Sequence, residues 1–116
     1  MTALYGVIGD PIAQSLSPLI HSGWIRDFNL DAEYLAMQVP AGAFKESLET
    51  LARRGARGLN VTMPHKAAAA EFADFPGLTV QTLGAANTLV RMDDGSWLAD
   101  NTDVPGFRAD LATHDP

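Results

Sequence analysis

Three times before residue 75, a short apolar run ends in a polar turn and passes into a segment with helical spacing. The first run, Tyr5-Gly6-Val7-Ile8-Gly9, closes on Asp10-Pro11 and reads as a buried strand. The helix after it is expected over residues 18–28, with Ser17 as N-cap, Pro18 at the first position, and Ile20, Trp24 and Phe28 as its core stripe. His21 lies one position off that stripe and reads as structural. A weaker alternation over 33–39 predicts a second strand, bounded by Pro40 and Gly42. Residues 43–54 carry the clearest helical pattern: Phe44, Leu48, Leu51 and Ala52 share a face, Glu49 and Arg53 stand four apart, and Gly55 is a fitting stop. The third run starts at Gly58 and its alanine-rich helix ends near residue 73. Strand and helix in strict alternation predict a largely parallel sheet with right-handed crossovers.

Beyond Asp74 the pattern changes. Residues 78–83 fit a short strand or a loop. Residues 87–92 and 96–101 flank Asp93-Asp94-Gly95, a hairpin signal, so one strand must run against its partner. The expected fold class is therefore α/β, a three-layer arrangement with a mixed, mostly parallel sheet and helices on both faces. Asn87, at the start of the hairpin, and the polar cluster Asp100-Asn101-Thr102-Asp103, at its end, should be neighbours. Val104-Pro105-Gly106-Phe107 starts a last helix.

The third strand–helix passage concentrates chemistry. In Gly58-Leu59-Asn60-Val61-Thr62-Met63-Pro64-His65-Lys66, alternation puts Asn60 and Thr62 on one face. Pro64 is expected at the first helical position, which sets Lys66 in the first turn, where the helix dipole opposes a cation. An amide, a hydroxyl and a lysine thus gather at the carboxyl end of a strand, where open α/β sheets bind ligands. Alone, these residues also fit a polar strand end with a surface lysine. Ser15 and Ser17, spaced by two in the first loop, would point the same way in extended chain, and Ser17 also fits as a helix cap and nothing more.

Composition narrows the partners. The net charge is −6, with eight Lys plus Arg in 116 residues and no basic cluster, which argues against nucleic acid and anionic membrane. Neither a transmembrane-length apolar run nor a basic leader is present, so a cytoplasmic protein without a signal peptide is expected. There is no cysteine for disulfides or thiolate chemistry, and His21, His65 and His114 fall at no metal-ligand spacing. A Gly-rich dinucleotide fingerprint does not occur.

Four motifs in order resemble the amino-terminal half of the shikimate dehydrogenase family: residues 9–18 (GDPIAQSLSP), 60–66 (NVTMPHK), 84–89 (GAANTL) and 100–103 (DNTD). The resemblance covers about residues 5–111. It implies an NADP-dependent oxidoreductase that interconverts 3-dehydroshikimate and shikimate on the route to chorismate and aromatic amino acids. In such enzymes a mixed α/β domain holds the substrate and a Rossmann domain, absent from this chain, holds NADP. By that resemblance Ser15 and Ser17 hold the substrate carboxylate. Thr62, Lys66, Asn87 and Asp103 meet the ring hydroxyls, with Asn60 nearby, and Lys66 and Asp103 form the catalytic pair. Residues 1–103 are then the shikimate-binding domain, and 104–116 start a linker helix toward the NADP-binding domain. The fragment alone is expected to be inactive, and its oligomeric state is left open, a homodimer being one option.

Two departures stand out. The family usually continues Asn-Thr-Asp-Gly, whereas Asp103 here precedes Val104-Pro105; and Ala86 replaces a common valine. Two other readings compete: a quinate/shikimate dehydrogenase with altered substrate or nucleotide preference, and a stand-alone binding module without catalysis. Under the main reading Lys66 takes the hydroxyl proton. Its place at a helix start favours the neutral amine, and Asp103, if adjacent, favours the charged one. Two serine hydroxyls with helix-start amides can hold a carboxylate without arginine.

Overall fold

The computed structural model describes residues 3–12, 15 and 17–102. Its strands are β1 (Ala3–Gly9), β2 (Ala32–Gln38), β3 (Ala56–Val61), β4 (Phe75–Pro76), β5 (Thr88–Arg91) and β6 (Trp97–Asp100). Its helices are α1 (Ser17–Asp27), α2 (Phe44–Arg53), α3 (Lys66–Phe72) and α4 (Leu78–Leu83). The six strands form one sheet in the order β2-β1-β3-β5-β6-β4. β1 pairs in parallel with β2 and β3, and β4 with β6, while β5 runs antiparallel to both β3 and β6. This is the expected mixed, mostly parallel sheet.

The chain steps from β1 out to β2 and then back across β1 to β3. Right-handed crossovers in opposite directions put α1 and α2 on opposite faces. Strand alternation fills those faces differently. Leu4 and Ile8 of β1, and Leu59 and Val61 of β3, join Phe44, Leu48 and Leu51 of α2, Ala69 of α3, Val80 of α4 and Trp97 of β6 in one continuous core. The opposite side of β1 turns Val7 toward Tyr34, Ile12 and Ile25, a much smaller cluster.

The expected face of α2 holds: Phe44, Leu48 and Leu51 are buried, and Gly55 follows the helix with φ +88°, a conformation that favours glycine. Arg53, expected to pair with Glu49, donates to Thr50 Oγ1 (3.2 Å). The hairpin also forms, closed by Met92 N–H donating to Ser96 O (2.7 Å) and Ser96 N–H to Asp94 Oδ1 (2.9 Å).

Three readings need correction. The stripe Ile20, Trp24 and Phe28 is not core: these side chains are 47%, 54% and 72% exposed. α1 lies over β2 and β1 through the line Ser17, His21 and Ile25, one position round the helix, because crossover geometry and not apolar content chooses the inward side. Residues 78–83 form helix α4, between Gly77 and Gly84 (φ +68°), since six residues with Val80 alone buried satisfy a helical turn as readily as a strand. α3 begins at Lys66 with His65 before it, so Pro64 precedes the first helical position. β4 adds a two-residue edge to β6. Asp103 and the expected helix from residue 104 lie outside the described residues.

Candidate functional site

Parallel strands that end together leave their carboxyl ends as one rim. Here Thr62 N–H donates to Ile8 O (2.9 Å), Asp10 N–H to Met63 O (3.0 Å) and Val61 N–H to Asn87 O (2.8 Å), which aligns the ends of β1 and β3 with the beginning of antiparallel β5. A cavity of about 690 Å³ opens on this rim. Ser15, Ser17 and His21 line it from the α1 side, Asn60 and Thr62 from β3, Lys66 from the head of α3, and Asn87 from the start of β5. Every expected substrate-binding residue among those described therefore lines a single cavity; Asp103 lies outside them.

Local features hold these side chains. A Cβ on Gly9 would come within 2.3 Å of Thr62 Cγ2, so only glycine lets the threonine methyl lie over the end of β1. His65 is 2% exposed, stacks on Phe44 with ring centroids 5.4 Å apart, and its Nε2 donates to Val39 O, anchoring the residue before Lys66. Lys66 O accepts from Ala86 N–H (2.9 Å), which brings Asn87 to the same wall. The Asn87 amide in turn ties down the exit of β6: Nδ2 donates to Thr102 Oγ1 (2.9 Å), and Oδ1 accepts from Thr102 N–H (3.1 Å) and Thr88 Oγ1 (3.0 Å). Ser15 Oγ accepts from Ser17 N–H (3.2 Å), satisfying an amide at the head of α1.

Two residues at this rim were not expected. Tyr34 of β2 donates its hydroxyl to Asn60 Oδ1 (2.7 Å). Burial raises its pKa above the usual tyrosine value, and the nearby Ser17 side chain partly offsets that. His21, read as merely structural, stacks on Tyr34 with centroids 4.2 Å apart and planes 8° from parallel, and it lines the cavity. The signal for His21 was its four-residue spacing from Ser17. Tyr34 gave none beyond an aromatic in a strand.

A second cavity of about 570 Å³ lies over the uncovered part of the sheet, bordered by Tyr5, Trp24, Leu30 and Val90. Its walls are mostly apolar, and of its polar residues His21 and Asn60 also line the rim cavity, where the serines, Thr62, Lys66 and Asn87 gather, so the rim cavity is the chemically capable one. Among the described residues no three of His, Asp and Glu gather as metal ligands, and no helix is long and apolar enough to cross a membrane.

Hydroxyls, amides and one lysine converging on the strand ends of an open α/β sheet define a small-molecule-binding domain. The family model for the shikimate dehydrogenase substrate binding domain matches residues 7–89, and the chain belongs to that family. An NADP(+) shikimate dehydrogenase of Hyphomonas neptunium is 52% identical over 107 residues, 92% of this chain and 39% of the relative. Among solved structures, shikimate dehydrogenase from Aquifex aeolicus superposes with a TM-score of 0.89 at 36% identity, covering 99% of this chain and 43% of that one. The Thermus thermophilus shikimate 5-dehydrogenase in complex with shikimate gives 0.85 at 35% identity, over 97% and 42%. The chain thus spans about two fifths of the length of the relatives it matches.

Proposed function

We propose that this chain is the substrate-binding domain of an NADP-dependent shikimate dehydrogenase that reversibly reduces 3-dehydroshikimate to shikimate. The observation that carries the reading is the convergence of Ser15, Ser17, Asn60, Thr62, Lys66 and Asn87 on one cavity. Shikimate is a cyclic polyol carboxylate, and these groups suit it in kind: hydroxyl and amide contacts for oxygens, and one lysine. The anion is held at the head of α1 by Ser15 and Ser17, where helix amides and the dipole favour negative charge. Thr62, Asn87 and Lys66 meet the ring hydroxyls, with Asn60 beside them.

Lys66 moves the proton of the reacting hydroxyl at Nζ, and Asp103 orients it. NADP supplies the hydride chemistry when bound. The rim residues do not make a pyrophosphate cradle, and no Gly-rich fingerprint occurs in the chain, so this domain contributes only the substrate side. A cytoplasmic location agrees with a pathway of small soluble metabolites.

The test uses the full-length protein that carries this chain. Replacing Ser15 and Ser17 together by Ala should raise KM for shikimate more than it lowers kcat, because the carboxylate is remote from the reacting carbon. An unchanged KM would return both serines to capping α1.

A further inference from the structure

Tyr34 hydrogen-bonds Asn60 and stacks on His21, two residues of the rim cavity, without itself lining it. It stands on β2, two strands from β3, opposite Tyr5 in the register of the parallel pair. Its ring is 6% exposed and is clamped by the parallel ring of His21. His21 is fixed in turn by Nδ1, 2.9 Å from Ser17 O; a carbonyl only accepts, so Nδ1 carries the proton. Tyr34 therefore has little freedom to turn.

The hydrogen bond of its hydroxyl then has only one consistent direction. Asn60 Oδ1 is an acceptor, so the single Tyr34 proton goes to it. That bond runs from the Tyr34 hydroxyl to the Asn60 carbonyl. It leaves the Asn60 amide nitrogen, and not its oxygen, as the end presented away from Tyr34.

We infer that Tyr34 is the positioning residue of the cleft: by holding the Asn60 carbonyl it makes Asn60 a donor toward ligand oxygens. This rests on the substrate reading above, since Asn60 is placed beside the shikimate ring by that reading. Without the tyrosine hydroxyl the amide can turn over, and half of its orientations would set a carbonyl against a substrate lone pair. Tyr34→Phe isolates this role. It keeps the ring, the stack with His21 and the burial, and it removes one hydroxyl.

The experiment is steady-state kinetics with shikimate on the full-length protein and its Tyr34→Phe, Asn60→Ala and double variants, with Lys66→Met as a control. One neutral hydrogen bond corresponds to a change of about two- to tenfold. Tyr34→Phe should raise KM by about that factor with kcat held within about twofold, and it should add nothing in the Asn60→Ala background, because its effect passes through Asn60. A merely structural tyrosine would lower thermal stability and change KM equally in both backgrounds, and that result would overturn the inference. So would a normal KM in Tyr34→Phe while Asn60→Ala raises it, or an Asn60→Ala enzyme with normal KM while Lys66→Met is impaired. If neither Lys66→Met nor Asn60→Ala alters shikimate kinetics, the substrate reading itself fails, and this inference with it.

Discussion

The two faces of the sheet are built to different standards. On the face of α2, α3 and α4, side chains from four strands and three helices bury one another almost completely, Leu48 and Leu89 among them. On the face of α1, the helix has no fully buried residue, and Val7, Ile12 and Tyr34 form the whole buried cluster. Over β3 and β5 that face is uncovered, with Val90 41% exposed. The first face holds the fold together; the second borders the cleft. Ser17 and His21 belong to the loosely packed helix, whereas Thr62 and Lys66 follow the tightly packed strand β3. One wall of the cleft is therefore rigidly founded and the other rests on few contacts, an arrangement in which local opening costs less on the α1 side.

The largest expected effect tests the closed face. Leu48→Ala removes a fully buried side chain between α2 and the sheet and should cost about 2–5 kcal/mol in urea unfolding. A loss below about 1 kcal/mol would show that the closed face is not the main source of stability. Next comes the junction between the faces. Gly9→Ala forces a methyl against Thr62 Cγ2 and should cost about 1–3 kcal/mol, with weaker shikimate binding as Thr62 is displaced. Full stability with normal binding would mean that the end of β1 gives way easily. The smallest effect belongs to α1 and the turn after it: Ile20→Ser and Phe28→Ser, on exposed positions, should each stay within about 0.5 kcal/mol of the parent. A multi-kcal/mol loss would show that the stripe is covered in the folded protein and would erase the contrast.

That stripe also shows where the sequence was legible and where it was not. The order of strands and helices, the inner face of α2 and the hairpin at Asp94-Gly95 all follow from local spacing and turn chemistry, and local physics decides them. The rotation of α1 does not: Ile20, Trp24 and Phe28 are the more apolar line, yet the crossover turns Ser17, His21 and Ile25 inward. α4 was ambiguous because six residues leave both periods open. The cleft's serines, amides and lysine stood out as motifs. Tyr34 did not, because its partner Asn60 is 26 positions away and its role exists only once β2 and β3 share a sheet.

The central proposal is that the rim cavity is where a substrate hydroxyl is oxidised in the full-length protein, with Lys66 handling its proton. Lys66→Met in the full-length protein should lower kcat with shikimate by roughly 10²–10⁴-fold, the usual worth of a placed acid–base group. Separately measured shikimate binding should survive, because the remaining contacts come from other residues. A Lys66→Met enzyme with near-normal kcat at saturating shikimate and weakened binding would contradict the account, leaving Lys66 as a ligand contact and the proton to another group.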